Sequence, residues 1–147
     1  PAQEDDDRNM LAPEFLNVLC VDDQASMRSI VRTMLRGWGI RQVKEAGDGL
    51  EALKILTKED ISVIITDWNM PKVNGMKLFK AVTKNPTLNK IPVIMLTGHV
   101  SDDAVRLAIS NGVRFFLSKP VQPAKLYSRL EAAVGPIGKP TLDIEYE

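Results

Sequence analysis

The sequence predicts an α/β fold, an open (βα)₅ three-layer sandwich in which a five-stranded parallel sheet is covered by helices on both faces. Five short apolar runs alternate with five longer stretches whose apolar residues recur three and four apart, the order that strand–helix–strand crossovers require. The runs are nearly continuous in Val, Ile, Leu and Phe, which suits strands buried on both faces. With 147 residues and 44% hydrophobic content, the chain can bury one core and has no length for a second.

Residues 1–14 open with the acidic run Glu4–Asp7 and little to bury, and read as a mobile leader. The first strand is Asn17–Val21, and the helix Ala25–Arg36 follows with its stripe of Ile30, Met34 and Leu35. Gln42–Glu45 and Gly49–Lys58 make the second pair, Ser62–Thr66 and Gly75–Lys84 the third. Pro92–Leu96 is the fourth strand, before a helix over Asp102–Asn111. Ser101 opens that helix as a capping box that Ala104 fills imperfectly, and Gly112 stands where it should stop. Arg114–Leu117 and Pro123–Val134 complete the set, the last helix carrying Leu126, Leu130 and Ala133 on one face. The run Gly135-Pro136-Ile137-Gly138-Lys139-Pro140 then breaks regular structure, so residues 135–147 read as a flexible tail and the folded unit as residues 15–134.

Lys and Arg balance Asp and Glu at 19 each, so the broad positive footprint of direct nucleic-acid binding is not expected. Cys20 is the single cysteine and lies in an apolar run, which points to a buried, reduced thiol in a cytoplasmic protein rather than to a disulfide or a cysteine metal site. No apolar segment is long enough for a membrane span, and the N-terminus lacks the basic-then-apolar order of a signal peptide.

In open α/β sheets, ligands gather outside the carboxyl ends of the strands. Those ends carry Asp22-Asp23, Asp67, Thr97 and Lys119-Pro120. Taken singly, each has an ordinary reading: Asp22 and Asp23 as helix caps, Asp67 as a turn residue before Pro71, Thr97 and Lys119 as a strand-end hydroxyl and a solvated ammonium. Their joint placement at four separate strand ends favours a functional centre. Three crowded carboxylates stay ionised only beside a cation, and Lys119 cannot offset all three. A hard divalent ion such as Mg²⁺ suits such oxygen ligands and keeps positions open for phosphate. Asp67 can then serve as a nucleophile toward a phosphoryl group, with Thr97 donating its hydroxyl and Lys119 its charge.

The residues Val21-Asp22-Asp23, Ser26-Met27-Arg28, Glu45-Ala46 with Asp48-Gly49, Asp67-Trp68-Asn69-Met70-Pro71 with Gly75, Thr97 and Lys119-Pro120 resemble those of response-regulator receiver domains, in particular the CheY-like regulators of two-component and chemotaxis signalling. The resemblance covers residues 15–134 and implies the flavodoxin-like strand order 2-1-3-4-5. It makes Asp67 the phosphoacceptor, charged by a histidine kinase or a small phosphodonor. Asp22 and Asp23 would hold Mg²⁺ with help from the Asp67 carboxylate and the Asn69 backbone carbonyl. Thr97 and Lys119 would sense the phosphoryl group, and the aromatic switch position falls on Phe116, which lacks the hydroxyl of the tyrosine found in CheY. A target protein would bind the face made by the fourth helix, fifth strand and fifth helix, with Val105, Ile109, Phe116 and Ser118 contributing. Asn69 and His99 would occupy the positions that modulate phosphoryl lifetime, Gly98 would leave room for a small phosphodonor or a partner's catalytic side chain, and a phosphatase is among the partners the resemblance implies. The module would be a signalling protein that assists its own phosphorylation and dephosphorylation, not an enzyme acting on other substrates.

Alternative outputs are a receiver belonging to a longer transcription factor or enzyme, and a phosphorelay or phosphate-sink intermediate. An aspartyl-nucleophile phosphatase is disfavoured because Asn69 stands where those enzymes carry a second Asp. A flavin site is disfavoured because Asp22-Asp23-Gln24 would repel the phosphate its loop must cradle.

Overall fold

The computed structural model describes residues 10–70, 72–98 and 101–139. After a 3₁₀ turn at Pro13–Phe15, the order is β1 (Asn17–Val21), α1 (Ala25–Gly37), β2 (Gln42–Ala46), α2 (Gly49–Leu56), β3 (Val63–Asp67), α3 (Gly75–Lys84), β4 (Val93–Thr97), α4 (Asp102–Ser110), β5 (Phe115–Ser118) and α5 (Pro123–Val134). All pairings are parallel and the sheet order is β2-β1-β3-β4-β5, as the sequence led us to expect.

Local chemistry sets most helix starts. The Asp48 carboxylate accepts from the Glu51 N–H at 2.8 Å, while the Glu51 carboxylate accepts from the Gly47 N–H at 2.9 Å, so the two side chains close the start of α2 from both sides. Asn74 caps α3 by accepting from Lys77 N–H, and Ser101 caps α4 by accepting from Ala104 N–H. Pro123 lies in the first turn of α5, where its missing N–H costs nothing. Strands β3, β4 and β5 each sit one residue later than the hydrophobic pattern suggested, because the backbone ladder runs on through Asp67, Thr97 and Ser118 regardless of side-chain polarity.

Alternate strand residues feed two cores. Leu19, Val21, Ile64 and Met95 face α2 and α3 through Ala52, Leu56, Leu78 and Val82. Val18, Cys20, Ile65, Ile94 and Leu96 face α1 and α5 through Val31, Leu35, Leu126 and Leu130. Each fully buried aliphatic side chain contributes about 1.5–3 kcal/mol. Burial pushes the Cys20 thiol up to about 12, so it is inert filling.

Helix α4 is the exception to this packing: Ala108 is its one buried residue, while Leu107 and Ile109 are 64% and 57% exposed. Ile109 thus stands in solvent, while Val105 on the same helix is half-buried.

The described ends of the chain meet. Leu11 forms a parallel bridge with Ile137, its N–H donating to Pro136 O and its carbonyl accepting from Gly138 N–H, both at 2.8 Å. Ile137 is buried, its N–H donates to Glu131 Oε2 at 3.0 Å, and its carbonyl accepts from the Tyr127 hydroxyl at 3.2 Å. Leu11 and residues 136–138, which the sequence assigned to leader and tail, thus form a clasp. Residues 1–9 and 140–147 of the same segments lie outside the described residues, as do Pro71, His99 and Val100. Among the described residues no helix is long and apolar enough to cross a membrane.

Candidate metal centre

Register brings the chemistry-bearing residues to one level. Val21 pairs with Thr66, so Asp22 and Asp67 follow on adjacent strands, and Asp67 pairs in turn with Leu96. One step beyond, Thr97 pairs with Ser118, and the Lys119 N–H donates to Thr97 O at 2.8 Å. The Lys119–Pro120 peptide is cis.

The side chains converge accordingly. Asp22, Asp23 and Asp67 each present a carboxylate oxygen within 4.8 Å of the others. Lys119 Nζ lies 3.1 Å from Asp22 Oδ2 and 3.1 Å from Asp67 Oδ1, bridging two of the three. Asp22 and Asp67 are 2% and 7% exposed, whereas Asp23 is open to solvent, so the cluster has a floor and a mouth.

Asp22 does not cap α1. The N-cap there is Gln24, without a side-chain bond, and Asp22 Oδ1 instead accepts from the Gln24 N–H at 2.9 Å. Its backbone carbonyl accepts from Arg28, whose Nε is 3.1 Å from Glu45 Oε1, and Arg32 pairs with the same Glu45 carboxylate.

Burial holds the Asp67 carboxyl above its usual range, and the negative charge of Asp22 adds to this, while the Lys119 hydrogen bond and charge pull the other way. For Lys119, burial alone would lower the ammonium, but its bonds to Asp67 and Asp22 outweigh burial and raise it. Three carboxylates facing one ammonium leave uncompensated negative charge in a partly dry site. The donors are all hard oxygens, with no nitrogen or sulfur ligand among them, and so fit Mg²⁺ rather than a softer metal.

Asn69 lies on the exposed loop after Trp68. Phe116, two residues before Ser118 on β5, stacks on Trp68 with ring centroids 6.1 Å apart at 26°. Gly75 lies against the same segment: its N–H donates to Trp68 O at 2.9 Å, and a Cβ there would sit 2.5 Å from Asp67 O. The ring stack joins residues 68 and 116, and the Arg28 ion pair residues 28 and 45, so neither leaves a signal in the local hydrophobic pattern.

A protein-family model described as "Response regulator receiver domain" matches residues 18–131. A "Chemotaxis protein CheY homolog" of Campylobacter jejuni is 40% identical over 121 residues, covering 82% of this chain and 93% of its own length. "Chemotaxis protein CheY-3" of Vibrio cholerae is 37% identical over 116 residues, covering 79% of this chain and 89% of its own. Among solved structures, Vibrio cholerae CheY4 superposes with a TM-score of 0.73 at 35% identity, covering 80% of this chain and 98% of its own. A receiver domain from Clostridium thermocellum superposes with a TM-score of 0.74 at 31% identity, covering 82% and 94%.

Proposed function

The chain belongs to the response regulator receiver domain family, and from that membership we propose that it is a phosphoacceptor signalling module in which Asp67 is reversibly phosphorylated. The observation that carries this reading is the bridge of Lys119 Nζ to Asp22 and Asp67 at 3.1 Å each, in a cluster completed by Asp23.

An Asp67 carboxylate oxygen attacks the phosphorus of a donor phosphohistidine or acyl phosphate. The new oxygen–phosphorus bond forms as the donor's bond to phosphorus breaks, and the electron pair leaves with the imidazole or carboxylate. Lys119 stands beside the attacking carboxylate and neutralises charge on the transferring group. Thr97, at the end of β4, donates its hydroxyl to a phosphoryl oxygen. Mg²⁺, when held by Asp22, Asp23, Asp67 and the Asn69 backbone carbonyl, supplies the remaining neutralisation. Water later cleaves the mixed anhydride, at a rate that Asn69 and His99 modulate.

Modification shifts a two-state equilibrium by the difference in phosphoryl contacts between the states. Phe116 is the side chain that relays it. The output face is α4, β5 and α5, where the exposed Ile109 offers apolar contact to a target protein. The donor is a histidine kinase, removal is assisted by a phosphatase, and the setting is cytoplasmic, a reading that rests on membership of the receiver family.

The test is incorporation of label from acetyl phosphate. It should require Mg²⁺, map to Asp67 by mass spectrometry, and vanish in Asp67→Asn. Label on another side chain, or none, overturns the proposal.

A further inference from the structure

Arg28 and Glu45 belong to the sequence pattern but take no part in the chemistry proposed for Asp67. β1 ends at Val21, so Asp22 has left the strand, yet both of its backbone groups remain tied. Its N–H donates to Ala46 O at the end of β2, at 3.0 Å, and its carbonyl accepts from the Arg28 guanidinium. Arg28 is itself fastened to β2: its Nε donates to Glu45 Oε1 at 3.1 Å, while the other oxygen of that carboxylate takes Arg32, one turn along α1. Glu45 pairs with Cys20 in the β1–β2 register, two residues before Asp22. The Arg28 side chain is 19% exposed, and its tip reaches the turn at Gly47, where an added Cβ would lie 4.0 Å from it. A rigid fork with one prong on Glu45 and another on a backbone carbonyl is satisfied in few geometries. The Asp22 carbonyl shares a planar peptide with the Asp23 N–H, so whatever fixes that carbonyl also fixes the direction in which Asp23 leaves the strand.

We propose that Arg28 is a positioning residue for the metal centre: aimed by Glu45, its guanidinium holds the Asp22–Asp23 peptide so that both carboxylates face one divalent ion. This rests on the reading of Asp22, Asp23 and Asp67 as residues that hold Mg²⁺. The sign of the effect separates this role from a purely electrostatic one. A cation close to three carboxylates opposes a divalent ion, so by charge alone the loss of Arg28 would tighten metal binding. Positioning demands weaker binding, because a released peptide must be ordered when the ion arrives. Removing a group that orients a metal ligand typically lowers affinity about 10–100-fold.

The test measures Mn²⁺ binding to the full chain by EPR, in which free Mn²⁺ gives the sharp signal, and Mg²⁺ binding by its displacement of Mn²⁺. Arg28→Ala should weaken both ions about tenfold. Arg28→Lys keeps the charge but brings one ammonium where the fork used two nitrogens, so it should weaken them too, and it serves alone should Arg28→Ala fail to fold. Ile137→Ala, a cavity variant in the clasp, should bind both ions as wild type does, which separates positioning from a general loss of stability. Wild-type or tighter affinity in either folded Arg28 variant, or equal weakening in Ile137→Ala, overturns the proposal. Should wild type itself bind neither ion, the metal reading falls and this inference with it, whereas binding by wild type that the Arg28 variants match removes this inference alone.

Discussion

Replacing Gly75 by Ala tests whether the acceptor loop depends on a close backbone approach. The added Cβ would lie 2.5 Å from Asp67 O, 2.9 Å from Met95 Sδ and 3.0 Å from Trp68 Cα. Ordinary contact begins at 3.4 Å, so the carbonyl of Asp67 must retreat by roughly 0.9 Å, in an interior packed too densely to absorb it freely. Overpacking of this kind costs about 1–3 kcal/mol. The Gly75 N–H to Trp68 O bond of 2.9 Å lies in the same displaced segment and puts about 1 kcal/mol more at stake. The expected loss is about 2–4 kcal/mol, read as a lower urea midpoint with unchanged slope and a melting temperature down by roughly 10 °C. Because the displaced atom is the carbonyl of Asp67, Mg²⁺-dependent labelling should fall even well below the melting temperature. Gly37→Ala is the control: it sits in the last turn of α1 with nothing within 4 Å of its Cβ, so it should be neutral or stabilise by about 0.5 kcal/mol. A Gly75→Ala protein with the wild-type midpoint and undiminished labelling would refute the claim that this approach shapes the site.

Three further outcomes follow from the packing. Arg28→Ala removes a partly buried bond to the Asp22 carbonyl and one to Glu45, and should cost about 1.5–3 kcal/mol in chemical denaturation; Lys44→Ala, which breaks an exposed 3.9 Å pair with Glu59, should cost under about 0.5 kcal/mol. Ile137→Ala empties the clasp's buried position and should cost about 2 kcal/mol, whereas a tail that plays no part in the fold would leave the midpoint unmoved. Cys20 should resist Ellman's reagent at pH 8 until the protein unfolds. The unfolded thiol ionises from its ordinary 9.0, while the folded one keeps its proton to about 12, so the folded state loses stability as pH rises through that window. Relative to Cys20→Ala, the loss should approach about 1.4 kcal/mol per pH unit, and parallel pH profiles for the two proteins would contradict it.

The alternation of apolar runs with helical stripes was enough to derive five strand–helix pairs, because burial on both faces of a parallel sheet leaves a period that neighbouring residues alone display. The same order put Asp22, Asp23, Asp67, Thr97 and Lys119 at strand ends, where this architecture gathers its ligands. What the tertiary structure decided is how these groups meet: that Lys119 bridges Asp22 and Asp67, that Asp22 bonds Gln24 and Arg28 rather than capping α1, that Trp68 stacks on Phe116. It also decided that Leu11 and Ile137 join the two described ends. For the contacts that join distant elements, the Lys119 bridge, the ring stack and the joined ends, the physical reason is the same. Periodicity reports what one segment wants to bury, but which partner covers it depends on the register and packing of segments far apart in the chain.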